Sequence, residues 1–162
     1  MRKIILGLSL LFFSICALAQ DDIVQGPFKV NGNDNVFIKK ESDDNYPLAL
    51  YFESNGNSSK VESYETNGDY PHVETIFFTK LKSQKNVIVL ISWHQKHTAE
   101  SIDGNAYQVY GYKYETNSLI INPLIKNDPN FNGLDGEFDG EMLSFKYKDA
   151  ESIKQYLKLH YK

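Results

Sequence analysis

Apolar residues along this chain come in short runs separated by polar turns, and most runs have the length and chemistry of strands. Segments rich in β-branched and aromatic residues cover Asn35 to Lys40, Pro47 to Glu53, His72 to Leu81, Val87 to Trp93, Ala106 to Tyr114, Leu119 to Leu124 and Met142 to Tyr147. Val87-Ile88-Val89-Leu90-Ile91 is apolar at both parities, which predicts a central strand covered on both faces. A hairpin over Lys82 to Asn86 would pair it with the preceding run. The period changes only near the C-terminus, where Ile153, Leu157 and His160 fall at helical spacing with Tyr156 beside them. Asp149 stands at the N-cap position, so a short helix is predicted over Ala150 to His160. The expected fold is α+β and mostly β, an antiparallel sheet of about seven strands with one short C-terminal helix.

Glycine placement supports a hairpin-rich chain. Gly32, Gly56, Gly68, Gly104, Gly133, Gly136 and Gly140 each follow Asn or Asp. Such pairs supply the positive φ angles of two-residue hairpin turns, and each is read as a turn.

The N-terminus changes the setting. Arg2 and Lys3 precede an apolar run from Ile4 to Ile15, and Ala17-Leu18-Ala19 forms a small-residue cleavage site. Residues 1–19 therefore read as a secretory signal peptide and residues 20–162 as a single globular domain, periplasmic or secreted. Lipidation at Cys16 would need a small residue before it, where Ile15 stands. The apolar run is shorter than a bilayer span, so no stable membrane anchor is expected. Cys16 leaves with the signal, so a disulfide, a cysteine nucleophile and a thiolate metal site are all excluded. Cleavage also removes Arg2 and Lys3 and takes the net charge from −4 to about −6. Nucleic acid and anionic membranes are then poor partners, and a basic protein is a favourable one.

The richest stretch is NDPNFNGLDGEFDGE, Asn127 to Glu141. Residues 128–139 loosely resemble an EF-hand calcium loop, with Asp128, Asn130 and Asn132 at its first, third and fifth positions, Gly133 at the sixth and Asp139 at the twelfth. Pro129 at the second position, Asp135 at the eighth and Asp in place of the terminal Glu depart from that pattern. The resemblance implies calcium held by Asp128, Asn130, Asn132, the Leu134 carbonyl and Asp139; otherwise no cofactor is expected. Two other readings stay open: an acidic recognition surface made by Asp128, Asp135, Glu137, Asp139 and Glu141, and a plain structural turn.

Other chemistry is less defined. His94 and His97 lie three apart, a spacing that points to opposite faces of a strand and disfavours a shared zinc. No G-x-S-x-G elbow surrounds Ser92 or any other serine. Glu137 with Glu141 or Asp139 could form the carboxylate pair of a polysaccharide hydrolase. Tyr110, Tyr112 and Tyr114 share one strand parity with Gln108, giving either an exposed contact patch or a row packed under the C-terminal helix.

In size, export signal, acidity and absence of a catalytic signature, residues 20–162 resemble the small periplasmic immunity proteins that bacteria make against secreted antibacterial toxins. The resemblance implies a non-enzymatic protein that binds a toxin or effector and occludes it. Its acids, with the tyrosine row, would face a basic cleft on the partner. The alternatives are a calcium-stabilised binding module and an envelope polysaccharide hydrolase.

Overall fold

The computed structural model describes residues 22–161; the expected signal peptide and Cys16 lie outside them. Ten strands form two antiparallel sheets rather than one sheet of seven. The first is a four-stranded meander of β1 (Ile23–Asn31), β2 (Asp34–Lys40), β3 (Leu48–Ser54) and β4 (Asn57–Tyr64). The second contains β5 (His72–Leu81), β6 (Gln84–His97), β7 (Ile102–Glu115), β8 (Ser118–Ile121), β9 (Asn132–Phe138) and β10 (Glu141–Leu143). Its order is β10-β9-β7-β6-β5, with β8 pairing the same side of β7 as β9 does. β9 takes Asp103 to Gln108, β8 takes Tyr112 to Glu115, and the helical turn α1 (Pro123–Lys126) follows β8.

The doubly apolar run explains the layering. Val87, Val89 and Ile91 of β6 pack with Val36, Ile38, Leu50 and Phe52 of the four-stranded sheet. Ile88 and Leu90 face the other way, onto Phe131, Phe145, Tyr147 and the helix α2 (Ala150–His160) through Ile153 and Leu157. All five residues from Val87 to Ile91 are fully buried, so β6 is the central layer of a sheet, sheet and helix stack. Each fully buried aliphatic side chain of this kind contributes about 1.5–3 kcal/mol relative to exposure. The helix begins where predicted: the Asp149 side chain accepts a hydrogen bond from the Ser152 N–H at 2.8 Å.

The three unforeseen strands are the polar ones. β4 opens Asn57-Ser58-Ser59-Lys60, and all four residues are exposed on a sheet edge. β1 is likewise an edge strand, with Val30 as its only fully buried residue. β9 was hidden by its Asn-Gly and Asp-Gly pairs, which lie inside a strand. Three of the expected turns are corrected thereby. Gly104, Gly133 and Gly136 sit within β7 and β9, where a neighbour occupies the space a side chain would need; at Gly133 that neighbour is the Phe145 ring. Asn55-Gly56 and Asp139-Gly140 are real two-residue turns, with φ of 51° and 80°, and of 53° and 77°. The β5–β6 turn is tighter than predicted, made by Lys82 and Ser83 alone at φ 48° and 66°.

At the far end of β8, Asn122 caps α1 by accepting from the Leu124 N–H at 3.0 Å and donates to the buried Asn86 side chain at 2.8 Å. The predicted strand over Leu119 to Leu124 therefore ends at Ile121, because Pro123 opens a helical turn. Of the last predicted strand, Met142 to Tyr147, only Met142 and Leu143 pair, in β10; Phe145 and Tyr147 enter the core from irregular backbone.

Candidate functional site

The stretch from Asn127 to Glu141 is neither a single coiled loop nor a simple turn. Asp128 caps a 3-10 turn over Pro129–Phe131, β9 then runs extended to Phe138, and Asp139-Gly140 reverses the chain into β10. Proline sets the turn and the buried Phe131 ring anchors it.

This path separates the residues singled out from sequence. Asp128 is buried and accepts hydrogen bonds from the Asn130 N–H at 2.9 Å and the Tyr161 hydroxyl at 2.6 Å. Burial pushes its carboxyl up, but the Tyr161 and Asn130 bonds outweigh it and hold the group below the usual carboxylate range. Asn132 and Leu134 are paired across from Gln108 and Ala106 on β7. Asp139 lies seven residues beyond Asn132 along extended backbone, about 23 Å away at strand rise. Asp128, Asn130, Asn132, Leu134 and Asp139 thus do not converge in this conformation, and among the described residues no group of three or more His, Cys, Asp or Glu could hold a metal. Millimolar calcium is accordingly expected to leave the melting temperature unchanged relative to chelator; a rise of several degrees, lost in Asp128→Ala, would require a different loop conformation.

Asp135 is committed as well. It is half-buried, accepting from the Phe145 N–H at 3.1 Å and the Lys148 ammonium at 2.8 Å. Three acids remain at the outer end of the hairpin. Glu137, Asp139 and Glu141 are exposed, and among the described residues none of them forms an ion pair. Glu137 pairs with Met142, and Phe138 with Glu141, so Glu137 and Glu141 project from opposite faces of the ribbon. The hydrolase pair Glu137 with Glu141 is therefore not formed into one cleft. β10 is a sheet edge, and three apolar residues stand beside the acids: Met142 is 78 % exposed, Leu143 and Leu134 each 37 %. Sequence reasoning did not nominate Met142 and Leu143, which it read only as the start of a strand over Met142 to Tyr147. The signal available was the acidic Asp139-Gly140-Glu141 immediately before them.

The tyrosine row lies elsewhere, in neither of the two places expected. Tyr112 is 1 % exposed between the two sheets, its hydroxyl 3.1 Å from that of Tyr64. Tyr110 meets the Tyr64 ring edge-on at 4.9 Å, and Tyr114 donates to Asp34 at 2.6 Å. Residues of even number on β7 from Ala106 to Tyr112 face the four-stranded sheet, so these tyrosines join the sheets and are removed from the candidate contact surface. His94 and His97 are both exposed on the projecting end of β6. A cleft of about 500 Å3 between the sheets, with Lys40, Asp44, Tyr70 and His72 among its lining, contains none of the residues nominated from sequence.

What the geometry assembles is an acidic, partly apolar hairpin projecting from the open edge of a rigid sheet. No family model, no curated protein and no solved structure matches the chain.

Proposed function

We propose that this chain is an exported, non-enzymatic binding protein of the immunity type, which occludes a secreted antibacterial effector in the periplasm. The contact surface in this reading is the β9–β10 hairpin. One observation carries it: Glu137, Asp139 and Glu141 stand exposed without ion-pair partners among the described residues, on a hairpin whose Met142 side chain is 78 % exposed. A hairpin that carries unpaired carboxylates on both faces and an exposed apolar side chain beside Glu137 suits a basic protein, whose approach the charges would accelerate while Met142 provides desolvated contact. Asp128 and Asp135 are engaged within the fold, the tyrosines join the two sheets, and none of them is part of the proposed surface.

Neutralising the hairpin with Glu137→Gln, Asp139→Asn and Glu141→Gln is expected to lower the association rate for the captured basic partner at least tenfold at low salt, with a smaller change in dissociation. Stopped-flow or surface-based kinetics across ionic strength would check it. An association rate that is unaltered in the triple variant and insensitive to salt would remove the hairpin from the mechanism. Met142→Ala should instead raise the dissociation rate.

A further inference from the structure

The six-stranded sheet ends on β10 at one side and on β5 at the other, and the two rims carry opposite charge. At the β5 rim a groove of about 650 Å3 runs between the end of the strand and α2. Leu81 and Leu157 contribute to it, Lys80, Lys82, Lys154 and Lys158 surround it, and Glu151 is its one acid. All four lysines are exposed, and among the described residues none is paired with a carboxylate. Lys154 lies 4.8 Å over the Phe77 ring, which fixes its stem along the helix. An acidic chain thus gathers four cations around one partly apolar groove. Lysines on an edge strand discourage strand addition, but Lys154 and Lys158 come from α2 and are not explained by edge protection.

From this complementarity we infer that the groove receives the β9–β10 hairpin of a second copy of this chain. The hairpin brings Glu137, Asp139 and Glu141 to the lysines, with the exposed Met142 beside Glu137 entering among their aliphatic stems. Both elements sit on open sheet edges, so neither has to be uncovered first. Because the two surfaces differ, the contact is head-to-tail and leaves a free hairpin at one end and a free groove at the other; it therefore repeats into chains of copies. The inference rests on the reading of the hairpin as a docking element but not on the identity of any effector.

Sedimentation velocity of the purified protein, up to about 1 mM and at low and high salt, tests it. The wild type is expected to grow in mass with concentration at low salt and to return to monomer at high salt. A groove variant, Lys80→Gln with Lys154→Gln, and a hairpin variant, Glu137→Gln with Glu141→Gln, should each stay monomeric alone. Asp139 is left in place because its φ of 53° belongs to the turn. Mixed in equal amounts, the two variants should form dimers and stop there, since only one complementary pair of surfaces survives. That restoration also demonstrates that both variants fold. A wild type that is monomeric throughout, a hairpin variant that assembles like the wild type, or a mixture that fails to pair would each overturn the inference. Binding of a poly-glutamate peptide to the groove of a monomeric wild type would assign the groove to a foreign acidic segment instead. The effector reading is judged separately, because the groove variant keeps an intact hairpin: it should still bind the basic partner.

Discussion

Between pH 10 and 11 the buried pair Tyr64 and Tyr112 is expected to cost the protein about 2 kcal/mol of folding stability, a share that the double substitution Tyr64→Phe, Tyr112→Phe is expected to remove. Tyr64 and Tyr112 are 0 % and 1 % exposed, with their hydroxyls 3.1 Å apart. Burial pushes both well above the ordinary tyrosine value. In the unfolded chain both ionise near pH 10, whereas the folded chain keeps its protons. Above pH 10 the unfolded state therefore binds fewer protons, and stability falls as pH rises. The contribution is complete below pH 10 and is lost on the way up toward the folded values. The unfolded groups are only half ionised at pH 10, so each costs about 1 kcal/mol between pH 10 and 11, and two give the stated loss. Tyr110 and Tyr161, which burial pushes up, and lysines held by carboxylates, such as Lys60 and Lys148, weaken the fold in the same direction, and the double Phe variant separates their share. Urea unfolding at several pH values can be followed through Trp93, the single tryptophan, whose indole donates to the Glu65 carbonyl at 2.8 Å. At neutral pH the double variant should be nearly neutral, because both partners of the buried bond leave together; Tyr64→Phe alone should cost about 1–2 kcal/mol by leaving the Tyr112 hydroxyl unpaired. An alkaline slope identical in wild type and double variant would place the titration elsewhere.

Gly136→Ala is the second large effect, an expected loss of about 3 kcal/mol or more accompanied by release of the hairpin. Gly136 has φ 121°, a conformation open to glycine and costly for alanine. It pairs with Gly104 across β7 and β9, and an added Cβ would come 2.6 Å from the Gly104 Cα and 2.7 Å from the Asp103 carbonyl oxygen. Those are backbone atoms, so relief requires the strands to part. Backbone strain and overpacking each cost about 1–3 kcal/mol. Gly140→Ala is the control. Its φ is 77°, but nothing lies within 4 Å of the added carbon, so it should cost only the conformational part, about 1 kcal/mol. Urea titration with hydrogen exchange of the β9 amides distinguishes the two. Equal costs for the two alanines would mean that the close approach of the strands has no energetic weight.

The parts of the fold legible in the sequence were those that packing alone determines. Val87 to Ile91 is apolar at both parities and is buried on both faces, and Ile153 with Leu157 behind an Asp149 cap is a helix packed where that stripe meets the sheet. His72 to Leu81 was bounded correctly because Pro71 marks one end and the polar Lys82-Ser83 the other. β1 and β4 could not be read, since an edge strand whose side chains mostly face water needs no apolar alternation. β9 failed for a different reason. Its glycines serve close contact between strands and under Phe145, and from sequence alone a glycine that admits a neighbour looks like a glycine that permits a turn. The tyrosine row had the right parity and the wrong location, because a single-sheet reading offers no second sheet to cover it. Of the acids, the exposure of Glu137, Asp139 and Glu141 and the engagement of Asp128 and Asp135 depended on partners such as Tyr161 and Lys148, far along the chain or across a turn.

The strand order has a kinetic consequence. β1 to β4 pair only with sequence neighbours, and so do β5, β6 and β7 with one another. Each of these ladders can zip from a short turn, so the loop-closure entropy paid before each pairing is small. The exception is β9, which reaches β7 only after β8 and α1 have been passed. Its arrival is the one strand pairing in the described fold that must close a longer loop, and the hairpin it carries would be the last strand unit to become native and the first to leave.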